Sequence, residues 1–125
     1  MPDVLIVEDE PLMRWALRES FLGAGYSVHL AADGPEALAF AKEPGAHPDV
    51  AVLDYKLPGM SGISLIGELR HSGIDCPVIV MSAYGNADVE DAARGAGAAA
   101  FLNKPFDPGE MISAVKEARV LGHPQ

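Results

Sequence analysis

Val50-Ala51-Val52-Leu53 is an unbroken apolar run that ends in one carboxylate, Asp54. A strand that alternates apolar and polar residues wets one face, whereas a strand apolar at every position has to be covered on both. Such a strand belongs inside a parallel sheet with helices on each side. Asp54 stands where the strand ends, and Tyr55 to Gly62 follows as a loop by its Pro and Gly content. An acid is therefore held on a rigid element and presented at the mouth of a loop.

The rest of the chain repeats this unit. Val4–Val7 is a short apolar run, β1, ending at Glu8-Asp9-Glu10. Pro11 suits the first turn of a helix, α1, which Gly23 and Gly25 end. Met13, Ala16, Leu17, Ser20 and Phe21 have the spacing of its inner face. Ser27–Ala31 is predicted as an edge strand, β2, because His29 interrupts it. Asp33-Gly34-Pro35-Glu36 starts α2, with Asp33 a candidate cap, and Pro44–Pro48 is a loop. Val50–Asp54 is β3. Ile63 to Arg70 carries α3, with Ile63, Ile66 and Leu69 or Leu65 inward. Val78–Met81 is β4, Ala87 to Arg94 a short, weak α4, and Ala99–Leu102 β5. Asp107-Pro108 is a cap-plus-first-turn pair for α5, whose buried side is Met111, Val115 and Ala118. Five strands alternating with five helices predict an α/β, doubly wound, flavodoxin-like parallel sheet of right-handed βαβ units. The common order for such a sheet is 2-1-3-4-5. The 125 residues suit one domain over residues 1–122, with 123–125 as a tail.

The net charge of −9 argues against direct binding of nucleic acid or an anionic membrane, and suits cations or a basic partner surface. One cysteine, Cys76, allows no internal disulfide and fits a reducing compartment. No run reaches membrane-spanning length and the first residues lack a signal-peptide pattern, so a cytoplasmic location is expected. His29, His47, His71 and His123 have no metal-ligand spacing.

Ligands of open parallel sheets bind outside the carboxyl ends of the strands. Here those ends carry Glu8-Asp9, Asp54, Ser82 and Asn103-Lys104-Pro105. Taken singly, Asp54 reads as a turn cap, Ser82 as a turn residue and Lys104 as a solvated charge. Taken together, three carboxylates would share one crevice, which is unfavourable unless they are neutralised. Lys104 offsets one charge; a hard divalent cation such as Mg2+, with oxygen ligands, offsets more. The set points to metal-assisted phosphoryl transfer, with Asp54 as nucleophile, Lys104 against the phosphoryl charge and Ser82 bonded to a phosphate oxygen.

Val7-Glu8-Asp9-Glu10, the Val50–Asp54 strand with Pro58-Gly59-Met60-Ser61-Gly62 after it, Met81-Ser82-Ala83 and Phe101-Leu102-Asn103-Lys104-Pro105-Phe106 resemble the receiver domain of two-component response regulators over essentially the whole chain. The resemblance implies that Asp54 accepts a phosphoryl group from a phosphohistidine of a sensor histidine kinase or phosphotransfer protein. It implies Asp9 as a direct Mg2+ ligand, Glu8 through water, the Tyr55 carbonyl as a further ligand, and a cis Lys104-Pro105 bond. Ser82 and Phe101 resemble a switch pair that remodels the α4-β5-α5 face toward an effector or a second copy. The stretch Pro11 to Leu17 is faintly similar to receivers of enhancer-binding transcription activators.

Trp15 and Leu22, near Arg14 and Arg18, lie opposite the core face of α1 and are candidates for a partner surface. Lys56 and Tyr84 lie two residues after Asp54 and Ser82; the resemblance implies that these positions border the phosphate, and they are expected to slow loss of the phosphoryl group. Two rivals remain: a pseudo-receiver that binds partners without phosphorylation, and an aspartyl-phosphate hydrolase. The related hydrolases place a second acid two residues after the nucleophile, where this chain has Lys56.

Overall fold

The computed structural model describes residues 1–83 and 85–121. Its central sheet is parallel throughout, built from β1 (Asp3–Val7), β2 (Ser27–Ala31), β3 (Val50–Asp54), β4 (Val78–Ser82) and β5 (Ala100–Asn103). The spatial order is β2-β1-β3-β4-β5, as expected. The helices are α1 (Pro11–Gly23), α2 (Gly34–Ala41), α3 (Gly62–His71), α4 (Ala87–Gly95) and α5 (Pro108–Leu121).

Every residue of β3 is buried, and the alternating faces of β1, β3 and β4 feed two cores. Leu5, Val7, Leu53, Val78 and Val80 pack with Ala37, Leu65, Ile66, Leu69 and Ala93 on the face that carries α2, α3 and α4. Val4, Ile6, Val52, Ile79 and Met81 pack with Leu17, Phe21, Met111, Val115 and Ala118 on the face that carries α1 and α5. β2 has only one buried residue, as its edge position requires.

Side-chain caps fix where the helices begin. Asp33 accepts from the Glu36 N–H at 2.9 Å, Ser61 from Ser64 at 3.0 Å and Asn86 from Val89 at 3.0 Å. The Glu10 carboxylate accepts from both Leu12 and Met13 N–H. At α5 the Glu110 carboxylate reaches back to the Asp107 N–H at 3.1 Å. Each such bond satisfies a donor that the first helical turn cannot satisfy itself, a contribution of about 1 kcal/mol.

Two local expectations are corrected. Ala16 is exposed: it lies about 100° round the helix from Leu17, and the buried stripe of α1 narrows to Leu17 and Phe21. Leu65, Ile66 and Leu69 are buried on the inner side of α3, and half-buried Ile63 packs against the same core, as expected. The segment after Asp54 is more than a loop, since Lys56–Leu57 pairs antiparallel with Met60–Ser61. Pro58 and then Gly59, at φ +78°, make its turn, a pairing that type II turns favour. Two-residue strands carry no readable periodicity.

Cys76 is buried at the opposite end of the sheet, and burial pushes its thiol up to about 11 against the partial relief of the Arg70 guanidinium. It stays protonated and serves as a small apolar core residue. The expected tail, 123–125, lies outside the described residues.

Candidate functional site

Because the strands are parallel, their carboxyl ends share one edge. Glu8, just past β1, still donates its N–H to the Ala31 carbonyl at 3.1 Å and is fully buried. Asp54 closes β3 and is also buried, while Asp9 is exposed. One carboxylate oxygen from each of Glu8, Asp9 and Asp54 lies within 4.8 Å of the others. Lys104, just past β5, donates from Nζ to Glu8 Oε1 at 2.7 Å and to Asp54 Oδ2 at 3.1 Å. Its own N–H bonds the Ser82 carbonyl at 2.9 Å, and the Tyr55 N–H bonds the Met81 carbonyl at 2.8 Å, so adjacent strand ends are tied together. The acids open into a crevice of about 380 Å³ whose walls include Lys56, Leu57, Pro58 and Ala83.

The electrostatics follow from this burial. Loss of solvent raises the Glu8 pKa above its usual value and outweighs the Lys104 ammonium and the Glu10 N–H, with the Asp54 charge adding to the rise. Burial alone would lower the Lys104 pKa, but Glu8 and Asp54 together more than reverse it. Lys104 therefore remains an ammonium between two acids. Lys104 bridges two of the three clustered acids and the Asp9 carboxylate stays open to the crevice, an oxygen donor set of the kind that hard divalent cations take.

The structure brings Glu8, Asp9, Asp54 and Lys104 into one cluster. Ser82 ends β4 at the same edge, but it is buried, and its neighbour Ala83 lines the crevice. Phe101 is turned into the core beside Val80 and Ala93. The Lys104-Pro105 bond is cis. The Tyr55 carbonyl, expected as a further metal ligand, already has one partner. It accepts the Gly62 N–H at 2.7 Å, and Tyr55 does not line the crevice; Lys56 does, with its N–H 3.5 Å from Asp54 Oδ1. The peptide joining Tyr55 to Lys56 is turned with its carbonyl toward Gly62 and its N–H toward Asp54. Tyr84 lies outside the described residues.

The α1 surface divides. Trp15 is 58% exposed, beside exposed Leu12 and Leu22, and Arg18 pairs in solvent with Glu19. Arg14 does not belong to that surface: it is half-buried and donates to the carbonyls of Glu8 and Asp9. Two glycines also escaped sequence reasoning. A Cβ on Gly62 would strike the Asp54 carbonyl, and one on Gly85 would strike the Asn103 side chain and sit 3.0 Å from the Phe101 ring. Their signal was only their place beside strand ends.

A doubly wound five-stranded sheet with an acid pair after β1, an acid ending β3 and a lysine after β5 defines a receiver. Residues 4–116 match the response regulator receiver domain family, and the chain belongs to it. It is 37% identical over 114 residues to sporulation initiation phosphotransferase F of Bacillus subtilis, covering 91% of this chain and 90% of that protein. It is 36% identical over 113 residues to the response regulator MprA of a Mycobacterium species, covering 90% of this chain and 48% of that protein. The chain thus spans about half the length of several curated relatives it matches. Among solved structures, the receiver domain of the Francisella response regulator 1452 superposes with a TM-score of 0.88 at 30% identity, covering 98% of this chain and 100% of that one. No helix among the described residues is long and apolar enough to cross a membrane.

Proposed function

We propose that this chain is a phosphorylation-dependent signalling switch. It accepts a phosphoryl group on Asp54 from a phosphohistidine of a sensor histidine kinase or phosphotransfer protein. The observation that carries this reading is Lys104 Nζ bridging Glu8 and Asp54 while the Asp9 carboxylate closes the same cluster.

Asp9 and Asp54 would hold Mg2+ directly and Glu8 through water, and a carbonyl of the Tyr55-Lys56 segment, where Lys56 lines the crevice, would be a further ligand. Bound there, the ion neutralises charge on the transferring phosphoryl group. An Asp54 oxygen attacks phosphorus, the P–N bond of the phosphohistidine breaks, and the imidazole nitrogen keeps the electron pair. Lys104 shifts from the carboxylate to the new phosphoryl oxygens, since about 1.5 to 2 added negative charges draw it. Ala83, having only a methyl group, leaves the approach to Asp54 open. Ser82, at the end of β4, is the hydroxyl nearest in sequence to that approach. Its movement toward phosphate, coupled to Phe101 between β4 and α4, would repack the α4-β5-α5 face. That face would address an effector, transcriptional in the longer relatives, or a second copy. The protein would act in the cytoplasm, without gripping nucleic acid or membrane itself.

A switch and a hydrolase differ in turnover. With excess small acyl phosphate and Mg2+, incorporation should level off at one phosphoryl group per chain, followed by slow release. Sustained release over many turnovers each minute would favour the hydrolase.

The exposed α1 surface is the proposed docking face for the phosphodonor protein. Trp15→Ala with Arg18→Ala should slow transfer from a cognate phosphorylated partner by at least about tenfold, since buried Trp and Arg anchors carry about 2 kcal/mol or more. Transfer at the wild-type rate would remove these residues from the interface.

A further inference from the structure

We infer that Arg14 is a positioning residue for the cation site, clamping the loop that carries Glu8 and Asp9 from behind. Its Nη1 donates to the Glu8 carbonyl at 3.0 Å and to the Asp9 carbonyl at 3.3 Å. Two N–H groups of one nitrogen thus hold consecutive peptides. The side chain is half-buried and is not among the crevice walls, so it touches the backbone of the acids and not their ligand atoms.

The loop needs such a clamp. The Glu8 N–H makes the last ladder bond of β1, and beyond it the chain leaves the sheet. Glu8 is then fixed by burial and by Lys104. Asp9 is exposed. On one side of it, Glu10 is committed to capping α1. On the other, Arg14 reaches back from the first full turn of that helix. The clamp therefore ties Asp9 to α1 and sets where its carboxylate points. Sequence spacing alone put Arg14 with Trp15 on the outer face, because a long side chain can fold back along the helix toward its N-terminus.

This inference rests on the reading that the three acids hold a divalent cation, and the sign of the effect separates a clamp from a mere nearby charge. A positive group near the site repels a second cation, so its removal should tighten Mg2+ binding if it acts only through space. A clamp predicts the reverse. Partners behind metal ligands typically contribute a factor of about 10 in affinity.

Mg2+ binding would be measured by calorimetry on wild type, Arg14→Ala and Arg14→Met, with thermal melts on each. Arg14→Met keeps the apolar stem and serves if Arg14→Ala does not fold. The expected result is a dissociation constant raised about tenfold in the folded variants. The Mg2+ needed for half-maximal phosphoryl labelling should rise by the same factor, with the rate at saturating Mg2+ preserved. Equal or tighter Mg2+ binding in a folded variant would overturn the clamp. No Mg2+ binding by wild type would instead overturn the cation-site reading itself.

Discussion

Replacing Lys104 by methionine is expected to abolish phosphoryl acceptance at Asp54 and to destabilise the metal-free fold by about 3 kcal/mol. Removing one partner of a buried ion pair typically costs about 3–5 kcal/mol, because the other charge is left without compensation. The lower end applies here, since Lys104 keeps 16% of its side chain in solvent. Glu8 has no such exposure, and burial already pushes it toward its neutral form. Methionine preserves the stem, so the loss reports the ammonium and not a cavity. The same change should strengthen Mg2+ binding, since one positive charge leaves a cluster of three acids. Mg2+ should therefore restore stability by mass action without restoring acceptance. Urea unfolding with and without Mg2+, beside phosphoryl labelling, checks both halves. Labelling at the wild-type rate would show that the bridging lysine is not needed for transfer.

The second large effect belongs to Gly62, the first residue of α3. Its N–H bonds the Tyr55 carbonyl, and a Cβ there would run into the carbonyl of Asp54. The obstacle is backbone at the end of a fully buried strand, with no flexible side chain that could give way. Gly62→Ala must displace either the start of α3 or the phosphoacceptor itself. Overpacking of this kind costs about 1–3 kcal/mol, and the upper end is expected at this site. Gly67, further along the same helix, has open space within 4 Å of where a Cβ would stand. Gly67→Ala should stabilise by about 1 kcal/mol through helix propensity. Opposite signs from two Gly→Ala changes in one helix would show that the first acts through the site. Similar small effects at both positions would contradict the packing at the end of β3.

Most of the fold was legible because the unbroken runs at Val4–Val7, Val50–Leu53 and Val78–Met81 admit few environments. Asp33 and Pro108 marked helix starts through chemistry that acts within one turn. The acids and the lysine were legible as a set because a parallel sheet gathers its strand ends. The details that failed depend on geometry without a period. Which way the peptide between Tyr55 and Lys56 faces, its carbonyl toward Gly62 and its N–H toward Asp54, is set by one bend. Arg14 read as surface because spacing locates a Cα and says nothing of where a long side chain ends.

The central claim is that Asp54 takes one phosphoryl group with the help of a divalent cation. Intact mass of wild type and Asp54→Asn, after exposure to a small acyl phosphate with and without Mg2+, tests it most directly. A single phosphoryl adduct is expected on wild type in Mg2+, and none on Asp54→Asn or in chelator. An adduct of equal yield on Asp54→Asn, or no adduct on wild type that binds Mg2+, would contradict it.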